Sequence, residues 1–423
     1  MIAFSIKASL CSNELTVEIY FMILKQYLTA YEASEALGVT KATLYSYVSR
    51  GLIRSEGGEI GKRERRYSTE DVEKLKYRSK NPQKGDLDKN INLKNDYFMG
   101  DSEITLINDG FYFYRGINVL ELATNQSFER VSSLIWTGKT NFRFSIPQDN
   151  YGGEHKNWGY LQTLRVIERF RVLLTLAESE DLSAYTLHRD GVAATGMRII
   201  WLLTRAATGG EPLGGVANVF SMESKKEREG SAKLINAFLV LLADTEMDAA
   251  TLAVRCAASA GASPYGSVSA GLSVFSGYKF SSNNERVEAF FKEAEASRNL
   301  EEMIIGRIRR GEIIPGFGQN QDQEIDTRAV FLLKMIEKNF PESNTLKLAW
   351  QIIEVTQKLM LIQYNIDFVL VVLLRILDMP KEVGLTLLTL ARTAGWIGHS
   401  IEQYDKNSLI QPKVNYVGTF PSS

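Results

Sequence analysis

Leu28-Thr-Ala-Tyr-Glu-Ala-Ser-Glu-Ala-Leu-Gly-Val-Thr-Lys-Ala-Thr-Leu-Tyr-Ser-Tyr-Val-Ser-Arg-Gly-Leu-Ile53 reads as two short helices joined by a tight turn. Ala33, Ala36 and Leu37 share one side of the first helix, Ala30–Leu37. Gly38 supplies the turn and Thr40 the N-cap of the second helix, because a threonine hydroxyl can accept from the free amides of a first turn. That helix, Lys41–Arg50, has Leu44 and Val48 four apart on its buried side and closes at Gly51. Lys41, Thr43, Tyr45, Ser46 and Arg50 are left facing outward.

Beyond Ile53, a hairpin-like segment carries a dense basic arm, Lys62, Arg63, Arg65 and Arg66, that ends at Tyr67. Ser68 with Asp71 resembles a capping box at the start of a third helix through Val72 and Leu75. Residues 81–100 are rich in Lys, Asn, Asp, Gly and Pro and read as a linker. Residues 1–21 read as an N-terminal extension, with Met22 an alternative start, and 22–80 as the small domain. From 101 to 423 the patterns are long and helical, as in Leu161–Ala177, Ala232–Leu242, Glu285–Ser297 and Leu346–Tyr364. Strand alternation is confined to Glu103–Tyr114, so the body is expected to be all-α.

At 423 residues and 44% hydrophobic content the chain can build a large core and more than one domain. Lys plus Arg (49) nearly balances Asp plus Glu (50), so any nucleic-acid affinity must come from a local patch. Two cysteines, Cys11 and Cys256, exclude a disulfide framework, and Cys256 in its small-residue run reads as a buried filler. Three histidines without clustering argue against a metal site. No apolar run approaches the ~20 residues of a membrane span, and Lys7, Glu14 and Glu18 interrupt any leader-like stretch. A soluble cytoplasmic protein without a membrane partner is expected.

A helix, a glycine turn and an exposed second helix form a helix-turn-helix, which lays its second helix in the major groove of double-stranded DNA. The basic arm from Lys62 to Tyr67 suits phosphate contacts that set register. Residues 27–78 resemble the winged helix-turn-helix of the MerR family, in which Thr43-Leu-Tyr45, Gly51-Leu-Ile53 and the Arg/Tyr pair near Tyr67 have counterparts in the same order. The MerR coiled coil is absent. A helical hairpin used for oligomer packing is the alternative.

The body carries ordered blocks. Gly110-Phe-Tyr-Phe-Tyr-Arg-Gly-Ile-Asn-Val-Leu-Glu-Leu-Ala123 is followed by Leu242-Ala-Asp-Thr-Glu-Met-Asp248, Gly277-Tyr-Lys-Phe-Ser-Ser-Asn-Asn284 and Pro315-Gly-Phe-Gly-Gln-Asn320. Asn365-Ile-Asp-Phe368, Ala391-Arg-Thr-Ala-Gly-Trp-Ile-Gly-His399 and Gln411-Pro-Lys-Val-Asn-Tyr-Val-Gly418 complete the series. Together they resemble the citrate synthase family of the tricarboxylic acid cycle. The resemblance implies large and small helical domains (the small one at roughly 278–390), a homodimer, and a cleft for oxaloacetate and a CoA thioester, with no bound cofactor or metal. It implies Asp367 as the base that takes the acyl-CoA α-proton, and Arg328 and Arg392 as carboxylate clamps.

The same resemblance implies departures. The family's three histidines fall on Thr245, Phe280 and Gln319, the asparagine of the first block on Asp248, and a cross-subunit arginine on Gln411, with Lys413 close by. An α-proton beside a thioester is barely acidic, so a carboxylate removes it only where donors await the developing oxyanion. Phe280 donates nothing; Gln319 keeps an amide N–H. Asp248 would repel a dicarboxylate unless it turns away. Asp367 could otherwise cap the Phe368–Leu374 helix, and Arg328 and Arg392 could be structural ion-pair partners or hold some anion. His155, His188 and His399 read as ordinary surface or core residues.

Three readings stand. The first is a catalytically impaired citrate-synthase-like pseudoenzyme that regulates transcription in response to a small carboxylate or CoA metabolite. The second is an active citrate or 2-methylcitrate synthase whose site is rebuilt around Gln319 with Ser281 or Ser282. The third is a non-catalytic subunit of a hetero-oligomer with an active paralogue.

Overall fold

The computed structural model describes residues 27–57, 65–68, 71–72, 100–108, 110–141, 158–209, 214–318, 325–411 and 416–419. The chain divides into two compact units, 1–97 and 98–423. In the first, β1 (Tyr27–Leu28), α1 (Ala30–Leu37), α2 (Lys41–Ser49), β2 (Ser55–Gly57) and β3 (Arg65–Ser68) follow in order. The strands form an antiparallel sheet, β1-β3-β2.

Local chemistry fixes both helices. The Thr29 hydroxyl accepts from Glu32 N and the Glu32 carboxylate from Thr29 N, a reciprocal capping box at α1. Gly38 ends α1 at φ +64°, a left-handed conformation that glycine adopts without a Cβ penalty. Thr40 then caps α2 by accepting from Thr43 N at 3.3 Å, as its sequence position indicates. Leu28, Ala33, Leu44, Ile53, Tyr67 and Val72 close a small core. Ser68 accepts from Asp71 N at 3.4 Å, but the Asp71 carboxylate pairs with Arg54 (Nε–Oδ2 2.8 Å) instead of completing a capping box. Leu75, Lys62, Arg63 and the expected linker at 81–99 lie outside the described residues.

The second unit opens with the sheet β4 (Thr105–Asn108), β5 (Phe111–Tyr114) and β6 (Ile117–Asn118). The helices α3 (Val119–Asn125), α4 (Phe128–Thr137), α5 (Trp158–Thr163), α6 (Val166–Glu180) and α7 (Arg189–Thr208) follow. Next come α8 (Val216–Ser221), α9 (Arg228–Leu241), α10 (Ala249–Ser259), α11 (Pro264–Phe275), α12 (Tyr278–Ser281) and α13 (Asn283–Ala296). The series ends with α14 (Leu300–Arg309), α15 (Thr327–Asn339), α16 (Asn344–Met360), α17 (Ile366–Ile376) and α18 (Glu382–Lys406). The architecture is mostly helical, as expected. No described helix is long and apolar enough to cross a membrane.

At its centre runs α18, buried continuously from Thr386 to Gln403 and packed by α4, α7, α10 and α11. A helix apolar on nearly every side belongs inside a core. Gly395 admits the loop Leu242–Asp248 against it: Gly395 N donates to Ala243 O at 2.8 Å, and a Cβ there would stand 2.6 Å from that oxygen. Arg392 and His399, one turn to either side of Gly395, therefore look onto the same loop.

Three expectations change. Leu161–Ala177 is two helices, because the chain breaks at Leu164 and α6 restarts where the Glu168 carboxylate accepts from Arg165 N. The helix at Leu346–Tyr364 stops at Met360, with Leu361 at φ +55° as its left-handed cap. Cys256 is exposed, not buried: Ala250, Val254 and Ala258 form the inward face of α10, and Cys256 lies off it.

Candidate functional site

Asp367 lies in the first turn of α17, half-buried. The cap of that helix is Asn365, whose Oδ1 accepts from Asp367 N at 3.1 Å and Phe368 N at 3.3 Å. The Asp367 carboxylate is therefore not used as a cap. Its Oδ2 accepts from Asn283 Nδ2 at 3.1 Å. Burial pushes its pKa above the usual carboxylate range, Asn283 opposes that shift, Asp326 adds to it and Arg328 offsets it. Phe280, three residues before Asn283 on α12, is 38% exposed, and its ring stacks on Phe275 at 6.1 Å. The hydroxyl of Ser282 donates to Tyr278 O, so it is already engaged. Gln319 and Lys413 lie outside the described residues, and Gln411 is exposed.

Arg328 is 7% exposed. Asp326 takes it side-on, with Arg328 Nε donating to Oδ1 at 3.0 Å and Nη2 to Oδ2 at 3.2 Å. Its guanidinium carbon stands 3.8 Å from the centroid of the Tyr112 ring, in the range of a cation–π contact. Burial alone would weaken the charged form of Arg328, but Asp326 together with Tyr112 and Tyr114 outweighs it and holds the cation more firmly. Nη1 is buried without a hydrogen-bond partner among the described residues.

Arg392 is 2% exposed and more heavily occupied. Nη1 donates to Asp244 Oδ1 at 3.2 Å, and Nη2 to Asp248 Oδ2 at 3.1 Å and Thr251 Oγ1 at 2.8 Å. Asp248 has not turned away. Its Oδ1 accepts from Thr251 N at 2.7 Å and caps α10, while Thr245 Oγ1 donates to Oδ2 at 3.2 Å. Thr245 and Asp248 thus sit together on Arg392. Strand β5 links the two arginines: Tyr112 lies at Arg328, and two residues on, the Tyr114 hydroxyl donates to Asp244 O at 3.0 Å.

Asp244, fully buried, is a residue the sequence reading missed. It accepts from Thr105 Oγ1 at 2.5 Å and Glu246 N at 3.1 Å besides Arg392. Burial alone would raise its carboxyl; His399, Arg392 and Thr105 outweigh that and hold it well below the usual range. His399 Nε2 lies 3.3 Å from Asp244 Oδ1, close but poorly aligned for a hydrogen bond. On its other side, Nδ1 is 3.2 Å from Nη1 of the fully buried Arg255, which also donates to Glu402 Oε2 at 3.0 Å. His399 is a core residue, as expected, but one set within a charged network. The only sequence signal for that network is spacing, since Arg392, His399 and Gln403 recur along one face of α18. His188 caps α7 by accepting from Gly191 N at 3.1 Å, and His155 lies outside the described residues. No described group of three or more His, Cys, Asp or Glu could hold a metal ion.

In the first unit, Lys41 and Tyr45 on α2 and Arg50 at its C-cap are exposed, with Thr43 and Ser46 half-buried beside them. Arg65 and Arg66 on β3 are exposed as well. Tyr67 does not join them. It is 1% exposed because β3 is the central strand, and Tyr67 pairs with Leu28 on one side and Ser55 on the other. Its ring belongs to the core of the small unit, 6.5 Å from Tyr45.

Residues 94–413 match the family described as citrate synthase, C-terminal domain, and residues 27–76 match a helix-turn-helix domain. Citrate synthase 2 of Bacillus subtilis is 23% identical, covering 75% of this chain and 93% of that protein. The 2-methylcitrate synthase of Shewanella oneidensis is also 23% identical, over 73% of this chain and 89% of its own length. The fold is shared with citrate synthase from Thermotoga maritima, at TM-score 0.60 and 23% identity over 78% of this chain and 96% of that one. It is shared too with citrate synthase from Thermoplasma acidophilum, at TM-score 0.64, 20% identity and the same coverages. The chain belongs to the citrate synthase family, and it carries a helix-turn-helix domain ahead of the family's fold.

Proposed function

We propose that this protein is a catalytically impaired citrate-synthase-type protein acting as a cytoplasmic, DNA-binding regulator, whose cleft takes a small carboxylate or CoA metabolite as its signal. The observation that carries the reading is the state of the two arginines. Asp326 occupies the side-on edge of Arg328, and Asp244 with Asp248 occupies both Nη groups of Arg392, so Arg392 is not left open as a two-pronged carboxylate clamp and Arg328 keeps only its Nη1 side. Phe280, at a position where the family uses a donor to the enolate, adds to this. Loss of one oxyanion donor typically costs ~10²–10³ in turnover. A homodimer would present two MerR-like modules to paired half-sites, with α2 toward the major groove and Arg65 and Arg66 toward phosphate.

The test has two arms on the full-length protein. Fluorescence anisotropy against duplexes from the gene's own upstream region should show specific binding that weakens steeply with salt. A thiol-release assay with acetyl-CoA and oxaloacetate should show turnover several orders of magnitude below that of an active synthase. Absent or salt-insensitive binding to every duplex refutes the regulator.

One observation favours a second reading, an active citrate or 2-methylcitrate synthase. Asp367 is free of capping duty, aimed by Asn283 and raised by burial, which suits a general base. Full thiol release that disappears in Asp367→Asn would establish that reading over the first.

A further inference from the structure

Around Arg328 and Arg392 the buried charges do not balance. Two guanidinium groups and the His399 ring stand among four carboxylates: Asp326 on Arg328, Asp244 on Arg392 and beside His399, Asp248 on Arg392, and Asp367 within the electrostatic reach of Asp326 and Arg328. The neighbouring Arg255 and Glu402 pair with each other and leave that excess unchanged. A ligand with two carboxylates would add two more anions to a region already short of cations, and like charges at low dielectric repel strongly.

Asp248 differs from the other three carboxylates. Asp244 is fully buried and also holds Thr105 and Glu246, whereas the Asp248 side chain is 26% exposed. It is fixed at both oxygens: Oδ1 by the first turn of α10, Oδ2 by Arg392 and Thr245. A carboxylate held in that position does to Arg392 what the carboxylate of a bound acid would do. On the other arginine, Nη1 of Arg328 is buried and has no hydrogen-bond partner among the described residues, which leaves its two N–H groups for a ligand. Arg392 Nε is also without a partner among the described residues, but Asp244, Asp248 and Thr251 crowd its fork.

Resting on the proposal that this cleft takes a small carboxylate, we propose that Asp248 is an internal stand-in for a ligand carboxylate: it occupies Arg392 and restricts the site to acids with one carboxylate. The ligand class is then a monocarboxylate, such as a 2-oxo monocarboxylic acid. Its single charge goes to Nη1 of Arg328, and dicarboxylates are turned away.

The substitution Asp248→Asn tests this: asparagine caps a helix as well as aspartate and keeps an oxygen for Thr251 N, while its NH2 no longer accepts from Arg392 Nη2. The melting transition of this variant is recorded to confirm folding. Full-length protein is titrated calorimetrically with pyruvate and with oxaloacetate at fixed pH and ionic strength. Wild type should take pyruvate and bind oxaloacetate more weakly by about tenfold or more, and Asp248→Asn should remove or reverse that preference. Arg328→Met is the control for the cleft itself, and its melting transition is recorded alongside. If Arg328→Met abolishes binding while wild type and Asp248→Asn bind oxaloacetate equally well, the role of Asp248 is overturned and the cleft survives. If folded Arg328→Met binds both acids unchanged, or no protein binds either acid, the cleft reading falls and the inference with it.

Discussion

Removing the Asp244 carboxylate is the sharpest perturbation of the buried network. In Asp244→Ala, Arg392 Nη1 loses its acceptor in a place where the side chain is 2% exposed, and Thr105 Oγ1 and Glu246 N lose theirs. Breaking a buried ion pair from one side typically costs ~3–5 kcal/mol. Arg392 keeps Asp248 and Thr251, which places the expected loss toward the lower end, near ~3 kcal/mol. Against a total stability of ~5–15 kcal/mol that is a large fraction. Urea unfolding followed by far-UV dichroism should show a lower midpoint with an unchanged slope. The double variant Asp244→Ala/Arg392→Met should recover part of the loss, because it removes the stranded guanidinium and leaves only the partly exposed Asp248 without its cation.

The sign with pH follows from the depressed Asp244 carboxyl. Its stabilisation is present above the unfolded carboxylate value of ~3.9 and is lost as pH falls below that toward the folded value. Asp244→Asn should flatten the acid limb of the melting temperature against pH. A cost below ~1 kcal/mol for Asp244→Ala, or a double variant whose loss equals the sum of the singles, would refute the claim that Arg392 depends on this partner.

Two other consequences can be measured directly. The substitutions Arg65→Ala and Arg66→Ala together should reduce the slope of log K against log salt for duplex binding by ~1.8, since each phosphate contact contributes ~0.9; an unchanged slope would remove these side chains from the DNA contact. Burial raises the Asp367 carboxyl, so its ionised form is a cost to the folded state that grows as pH rises through the raised value. Asp367→Asn should therefore melt higher than wild type at pH 7 while eliminating any thiol release, and the gap should close below ~pH 3.9, where wild type is protonated in both states. A variant that melts lower than wild type at pH 7 would contradict this.

What the sequence made legible was local. Thr40, Gly38 and the extent of Ala30–Leu37 could be read because a cap or a glycine turn depends on residues within one helical turn. The single stretch of strand alternation at Glu103–Tyr114 became β4 and β5 for a similar reason. Misreadings came where neighbours in space, not in sequence, decide orientation. Tyr67 follows four basic residues and reads with them in sequence, but its side of β3, flanked by Leu28 and Ser55, packs into the core with Ala33 and Leu44. Cys256 sits among alanines that pack, on the one side of α10 that does not. The pairing of Asp248 with Arg392 joins residues 144 positions apart. The blocks that hold them could be aligned by eye with a family; their charges could be set against each other only in three dimensions.

The charge arrangement also bounds how tightly the cleft can hold a signal. An open bidentate arginine offers two charge-assisted hydrogen bonds and a full unit of attraction. Arg328 offers the two N–H groups of one nitrogen, Nη1, and Asp326 already offsets its charge. A hydrogen bond to a charged group contributes ~1.5–3 kcal/mol net, and a dissociation constant of ~1 mM corresponds to ~4 kcal/mol. A monocarboxylate held at that single nitrogen by one or two such bonds therefore belongs near the millimolar range. Binding that weak suits a pocket that samples an abundant metabolite and releases it. It suits poorly a site that must hold a reactive enolate, where donors have to be in place before the charge develops. On the proposed reading, the cleft is an anion site whose stability does not wait on its ligand, since Asp326, Asp244 and Asp248 already satisfy most of what the two arginines require.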